Sequence, residues 1–318
     1  STQSYTGTSD SSITLSSYRK SFTGFTYKDT KLDNSSTATN SDTTTIAPDG
    51  SRVIHIYYSR NQYTITVNKG TGINTVTSNC TKYYGTSASV TTTLTTGYSW
   101  VNWTSSNTGL LANSTAQTYS FTMPAGNVTL TANARANTYT VEYYSDSAKK
   151  GSSSHTYNTA KNLTTASALG LTKSGYAFAG WSTTSGGTTV NYADGASIKN
   201  LTATQGTVIK LYAVWWSNTQ TLTINPNGGT YNSSTNNTQI NGTTDSTISI
   251  NAPTKTGYRF NQWTLTGAGK ITYDATNKGT FTFGASQTTL TANWIANNYT
   301  VNYYNGNTKV GSSSHTYN

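Results

Sequence analysis

Cysteine occurs once in this chain, at Cys80, glutamate once, at Glu142, and methionine once, at Met123. Each scarcity excludes something. A single thiol cannot staple the chain with an internal disulfide, and it removes metal sites built on cysteine pairs. With Glu and Met almost missing, strong helix formers are in short supply. Charged residues are only 9% of the 318. The ten acids are spread thinly, and no pair recurs with the spacing of glycosidase carboxylates. No closely spaced acids read as a calcium loop, Asp29 to Asp33 being the nearest approach. Glycine-rich phosphate loops are missing too, since Gly186-Gly187 and Gly228-Gly229 read as hairpin turns. No apolar run is long enough to span a bilayer, and there is no signal peptide or lipidation signal. The sequence starts at Ser1, so an export signal is expected outside this segment.

The net charge of +10 reflects missing acids as much as added bases. Arg19-Lys20 and Lys149-Lys150 are the densest basic spots. A nucleic-acid binder concentrates its charge on one face, so nucleic acid is not an expected partner. A diffuse positive balance suits a neighbourhood of anionic wall polymers. Ser, Thr, Asn and Gly fill most of the chain, and 24 Tyr, 7 Trp and 7 Phe supply much of its apolar surface. Thr and the aromatics favour half-buried strands. The expected class is β-dominated, and the regular spacing of the apolar residues argues against disorder.

The chain repeats itself. YTVEYYSDSAKKGSSSHTYN, Tyr139 to Asn158, returns as YTVNYYNGNTKVGSSSHTYN, Tyr299 to Asn318, at an offset of 160 residues without a gap. A shorter period lies inside it. GYSWVNW from Gly97, GYAFAGW from Gly175 and GYRFNQW from Gly257 place a Trp after a Gly-Tyr, and Ser21 to Phe25 looks like a weaker copy. Each unit closes on a strand-like segment: VIHIYYSRN near Ile54, LTANARA from Leu130, LYAVWW from Leu211, LTANWIA from Leu290. The next segment alternates, as in Tyr63, Ile65, Val67 or Tyr139, Val141, Tyr143, which is the period of a half-buried strand. Asp49-Gly50, Asp194-Gly195, Asn227-Gly228 and Asn305-Gly306 are turn signals. The expected units are 1–61, 62–136, 137–216 and 217–296, with 297–318 opening a fifth. Their endings give the order A-B-A-B. The linkers are Ser59-Arg60-Asn61, Arg135-Ala136-Asn137, Ser217-Asn218 and Ala296-Asn297. Unit one is expected to lack its first strand. Either the sequence is an excerpt of a longer periodic chain, or the tail of one chain completes unit one of the next by strand donation. A native chain much longer than 318 residues removes the second reading.

The pattern YTV…GYAFAGWST…IKLYAVW in unit three resembles the Listeria–Bacteroides repeat, the B-repeat of internalin-like proteins. Units two and four, with GY…W…TMPAGNVTLTANA in the fuller copy, look like divergent relatives. Unit one, ending IAPDGSRVIHIYYSRN, resembles the mucin-binding-protein-like units that neighbour them. The resemblance implies a β-grasp-like fold, a small mixed sheet with one short helix. Asn162 to Leu171, NLTTASALGL, is the candidate helix in unit three. It also implies a place in long exported bacterial proteins, between a functional tip and a wall anchor. Tandem units of about 80 residues with short linkers make an extended, semi-rigid rod.

Nothing here reads as an enzyme, and no cofactor or metal site is expected. His155 and His315 occupy equivalent repeat positions without a nearby acid or Cys, and read as repeated surface residues. Trp103, Trp181 and Trp263 hold the equivalent position in three units, which points to packing. Trp100 and Trp216 are less regular and are the candidate ligand-contact aromatics, Trp216 pointing away from Trp215 on its strand. A Lys–Asn isopeptide bond needs a buried acid that so few acids are poorly placed to supply. Asn-x-Ser/Thr sequons arise by chance in a chain of this composition. The expected role is a structural spacer of a secreted bacterial surface protein, with neighbouring repeats as its main partners. The alternatives are an adhesive module for glycan or host protein, and a self-assembling fibre subunit.

Overall fold

A computed structural model describes residues 2–107, 110, 115–274 and 278–318. Among them the secondary structure is strand throughout, apart from one 3-10 turn at Leu15–Tyr18. The chain divides into two compact units. One holds Ser1–Tyr139, His155–Ala160 and Lys199–Thr207; the other holds Thr140–Ser154, Lys161–Ile198 and Val208–Asn318.

One sheet plan recurs. In repeat two the opening strand is Gln62–Lys69, the return strand Cys80–Tyr83, the Gly-Tyr strand Tyr98–Ser105 and the closing strand Val128–Ala136. Opening and closing strands lie side by side in the centre and run parallel, with Val128 opposite Ile65 and Leu130 opposite Val67. The return strand pairs antiparallel on one edge, and the Gly-Tyr strand antiparallel on the other. Repeat three builds the same four-stranded mixed sheet from Thr138–Ser145, Ala148–Thr156, Tyr176–Ser182 and Val208–Ser217. Repeat four uses Thr219–Asn225, Thr238–Thr243, Tyr258–Gly267 and Thr288–Ala296. A β-bulge breaks the Gly-Tyr strand at Trp100/Asn102, Phe178/Gly180 and Phe260/Gln262. A bulge re-aims the side chains that follow it. Here it turns the repeated Trp inward: Trp103, Trp181 and Trp263 are all buried.

Alternation makes the cores. Ile65, Val128, Leu130, Ala132 and Trp103 form the centre of repeat two, with Trp100 packed against them. Leu222, Ile224, Leu290, Ala292 and Trp263 do the same in repeat four, joined by Phe281 and Phe283. In repeat three Tyr143 lies under Trp181, ring centroids 4.9 Å apart.

Repeat one has part of this sheet. Its strands Phe25–Leu32 and Ile54–Arg60 pair antiparallel with the same bulge, at Tyr27/Asp29, and no other described strand joins them. At the other end, Asn298–Asn305 and Thr308–Thr316 form a two-stranded hairpin.

Two expectations are corrected. Asn162 to Leu171 is not a helix. Lys161–Asn162 is a short strand, and the rest closes as a turn through Leu169 N–H to Thr165 O and Leu171 N–H to Ala166 O. Gly170, at φ +64°, ends it, a conformation that cannot propagate a right-handed helix. His155 is not a surface residue: it is 1% exposed and stacks on Tyr139, centroids 5.5 Å apart at 18°. A flat imidazole beside an aromatic ring across the hairpin fills core volume as an aromatic does.

Candidate functional site: the repeated junction

The most regular arrangement in the molecule lies between repeats. Each begins with a tight turn ahead of the Gly-Tyr strand. Phe25, Tyr98, Tyr176 and Tyr258 donate their N–H to the carbonyls of Phe22, Thr95, Lys173 and Lys255 at 3.0–3.2 Å. That places Gly24, Gly97, Gly175 and Gly257 third in a four-residue turn. Their φ values are +78°, +81°, +80° and +80°. A type II turn requires a positive φ at this position, which glycine adopts without a Cβ penalty.

The glycine then meets the linker. Asn61, Asn137, Asn218 and Asn297 donate N–H to the carbonyls of Gly24, Gly97, Gly175 and Gly257 at 2.8–2.9 Å. The carbonyl of the same Asn accepts an N–H from the next repeat: Tyr84 at 2.8 Å, Tyr157 at 2.7 Å, Thr244 at 3.0 Å and Tyr317 at 2.9 Å. Each linker is therefore hydrogen-bonded on both sides within one residue.

A side chain closes the clasp. The rings of Tyr84, Tyr157 and Tyr317 lie so close over Gly24, Gly97 and Gly257 that a Cβ there would overlap ring carbons. The same rings pack edge-on against the residue after the glycine: Phe25–Tyr84 at 5.9 Å, Tyr98–Tyr157 at 6.1 Å and Tyr258–Tyr317 at 5.5 Å. Such pairs contribute about 0.5–1.5 kcal/mol beyond burial. The junction from repeat three to four differs. Thr244 takes the Tyr position against Gly175, and Tyr176 donates its hydroxyl to Asp245 Oδ2. That bond to a carboxylate, with burial, pushes the Tyr176 hydroxyl above its ordinary pKa. The Asn side chains add further ties. Thr26 and Ser99 donate to Asn61 Oδ1 and Asn137 Oδ1 at 2.7 and 2.5 Å, and Asn137 Nδ2 donates to Ala203 O at 2.7 Å.

The two ligand-contact candidates sit in different surroundings. Trp216 is 64% exposed and lies beside Trp215, which faces Phe178 at 5.5 Å. Trp100 lies against the repeat-two core, edge-on to Trp103 at 5.5 Å, and its indole N–H is donated to Thr115 O at 2.8 Å. A cleft of about 730 Å³ opens beside the last junction, lined by Gly228, Gly229, Lys255, Tyr258, Phe260 and Tyr317. Lys255 Nζ stands 4.6 Å from the Tyr258 ring centre and 5.8 Å from that of Trp294. On the outer face of repeat three, Lys149 Nζ donates to Glu142 at 2.5 Å and the Tyr144 hydroxyl donates to it at 2.9 Å. These bonds hold the Glu142 carboxyl below its ordinary value. Among the described residues no three His, Cys, Asp or Glu side chains are grouped to hold a metal ion. No helix among them is long and apolar enough to cross a membrane.

The sequence pointed to the Gly-Tyr pattern but not to its use. The missed roles are those of the four linker Asn and of their donors in the next repeat, Tyr84, Tyr157, Thr244 and Tyr317. A signal was present: every linker named from sequence ends in Asn.

Residues 63–138 and 220–298 match the divergent InlB B-repeat domain. Residues 139–214 match the Listeria-Bacteroides repeat domain. No curated protein matches the chain. Among solved structures, the Bacillus anthracis TIE protein aligns with a TM-score of 0.33 at 9% identity, over 77% of this chain and 55% of that one. The chain thus spans about half the length of that protein.

Proposed function

Because the chain belongs to the divergent InlB B-repeat and Listeria-Bacteroides repeat families through residues 63–138, 139–214 and 220–298, we propose that it is a structural spacer of a secreted bacterial surface protein. The observation that carries this reading is the junction. The same glycine turn, the same linker Asn and a side chain from the next repeat recur at all four repeat boundaries. A flexible tether needs none of this. A spacer that must hold a tip away from a wall needs each repeat fixed to the next. We read repeats two, three and four as β-grasp-like mixed sheets, with a hydrogen-bonded turn in the helix's place in repeat three, and the array as a semi-rigid rod. Its partners are then its own neighbouring repeats, with wall polymers as the surroundings that its net charge suits. It acts without a cofactor and is not an enzyme. Small-angle scattering tests the reading: a rod-like distance distribution supports it, and a compact globular one overturns it.

Adhesion is a second reading. It draws on the exposed Trp216 and on the aromatic cleft beside Lys255. Aromatic faces beside hydroxyls and a cation, here Thr230, Thr254, Thr256 and Lys255, suit sugar rings. A glycan array tests it, with binding lost in Trp216→Ala or Lys255→Ala as the supporting result and no hits as the contrary one.

A further inference from the structure

Repeats two, three and four share one sheet but not one solvent face. In repeat two the central parallel pair sets Thr66 opposite Thr129 and Asn68 opposite Thr131. In repeat four it sets Thr223 opposite Thr289 and Asn225 opposite Thr291. The core pairs Val67–Leu130 and Ile224–Leu290 correspond to Tyr143–Leu211 of repeat three. There the same four positions hold Glu142 opposite Lys210 and Tyr144 opposite Tyr212. Side chains alternate across a strand, so these four point away from the core that Val141, Tyr143 and Leu211 build. Two repeats close their cores with short uncharged residues on this face. The fold therefore does not call for two tyrosines, a lysine and the chain's single glutamate there.

The four side chains make one surface. The Tyr144 and Tyr212 rings lie side by side on neighbouring strands, centroids 5.4 Å apart and 33° from parallel. Lys210 Nζ stands 5.5 Å from the Tyr144 ring centre. Glu142 accepts from the Tyr144 hydroxyl at 2.9 Å and from Lys149 Nζ at 2.5 Å, so it holds one ring and one ammonium in place. Lys149 and Lys210 are exposed. Aromatic faces fixed before contact suit the apolar face of a sugar ring, and they lose little entropy on binding. Two ammonium groups against one carboxylate leave a net positive charge, which suits an anionic group on that sugar. The Glu142 carboxylate disfavours a dense polyanion, whose charges it would repel.

We propose that the solvent face of repeat three, Tyr144 and Tyr212 with Lys149 and Lys210, binds a polysaccharide that carries carboxylates at intervals along its chain. The tyrosine rings stack on the sugars, the two lysines pair with carboxylates, and Glu142 positions Tyr144 and Lys149. This goes beyond the spacer reading. It uses neither Trp216 nor the cleft beside Lys255, so each can fail without the other.

The test is titration of the 318-residue protein with hyaluronan, which has a carboxylate on every second sugar, followed by NMR and by affinity. Dextran, sugar without charge, and polyphosphate, charge without sugar, are the comparison probes. The expected result is hyaluronan binding that moves the amide signals of Glu142, Tyr144, Lys210 and Tyr212 and exceeds that of both other probes. Tyr144→Asn with Tyr212→Thr installs the residues that repeat two carries at these positions, and is expected to weaken binding at least about tenfold. Lys210→Thr leaves both rings and is expected to weaken binding and reduce its dependence on salt. Unchanged signals from the repeat-three core show that the variants fold. No binding of hyaluronan, equal binding of dextran or polyphosphate, or an affinity unchanged in either variant overturns the proposal.

Discussion

The hairpins at 138–156 and 298–316 are one design in two surroundings. Over Tyr139–Asn158 and Tyr299–Asn318, fourteen of twenty residues are identical. Both carry the Tyr–His stack and the Tyr–Ser hydrogen bond. In repeat three, Trp181 covers Tyr143 and the Thr164 N–H donates to its hydroxyl at 2.9 Å. Among the described residues the last hairpin has its Tyr317 clasp on Gly257 and no closing strand over Tyr303. Local pairing thus suffices to shape the hairpin, while burial depends on the rest of the sheet.

The two hairpins differ most at the buried tyrosine. Tyr143→Ala is expected to cost repeat three about 3–5 kcal/mol, as large core truncations do. Tyr303→Ala in dilute, monomeric protein is expected to change stability by no more than about 0.5 kcal/mol. Amide exchange along the two opening strands reads both. Equal effects would mean that burial does not separate the copies. The histidines give a smaller version of the same contrast. His155→Ala is expected to cost about 2–3 kcal/mol through its cavity and lost stacking, and His315→Ala much less, as read by the same exchange experiment.

The strands were legible in the sequence because alternation reports directly which face is buried. The Trp positions were legible because three repeats agreed. His155 was misread because polarity was weighed without its cross-strand neighbour Tyr139. Asn162 to Leu171 was misread because the helix implied by the family resemblance was placed there, where the segment closes as a turn that ends at Gly170. The junction was not legible because its parts are remote in the chain: Gly97 meets Tyr157 across sixty positions, and the strands paired between them bring the two together.

The clasp glycines differ in what they hold. Gly97→Ala is expected to cost about 1–2 kcal/mol for the left-handed backbone alone, before the overlap with the Tyr157 ring. Exchange at the Asn137 and Tyr157 amides should rise while the cores of repeats two and three stay protected. Gly257→Ala should instead release the last hairpin, since the clasp is what fixes it to repeat four. A uniform loss of protection in both variants would mean that the glycine serves its own repeat and not the junction.

The smallest effect is at the polar junction. The Tyr176 hydroxyl is raised above the ordinary tyrosine value of 10.0 by its bond to Asp245. A raised pKa means that the protonated form is the stabilised one. Its contribution is complete below pH 10 and is lost as pH rises through the raised value. Following Tyr176 ionisation by NMR should show it return toward the ordinary value in Asp245→Asn.

We propose that the glycine turn, the linker Asn and the side chain that follows it, Tyr at three junctions and Thr244 at the fourth, fix each repeat to the next. This is tested most directly by the distance distribution between spin labels at Lys82→Cys and Lys150→Cys, in a Cys80→Ser background, across the junction of repeats two and three. A narrow distribution that broadens in Gly97→Ala is the expected result. A distribution already broad with Gly97 in place, or one unchanged by the substitution, would contradict it.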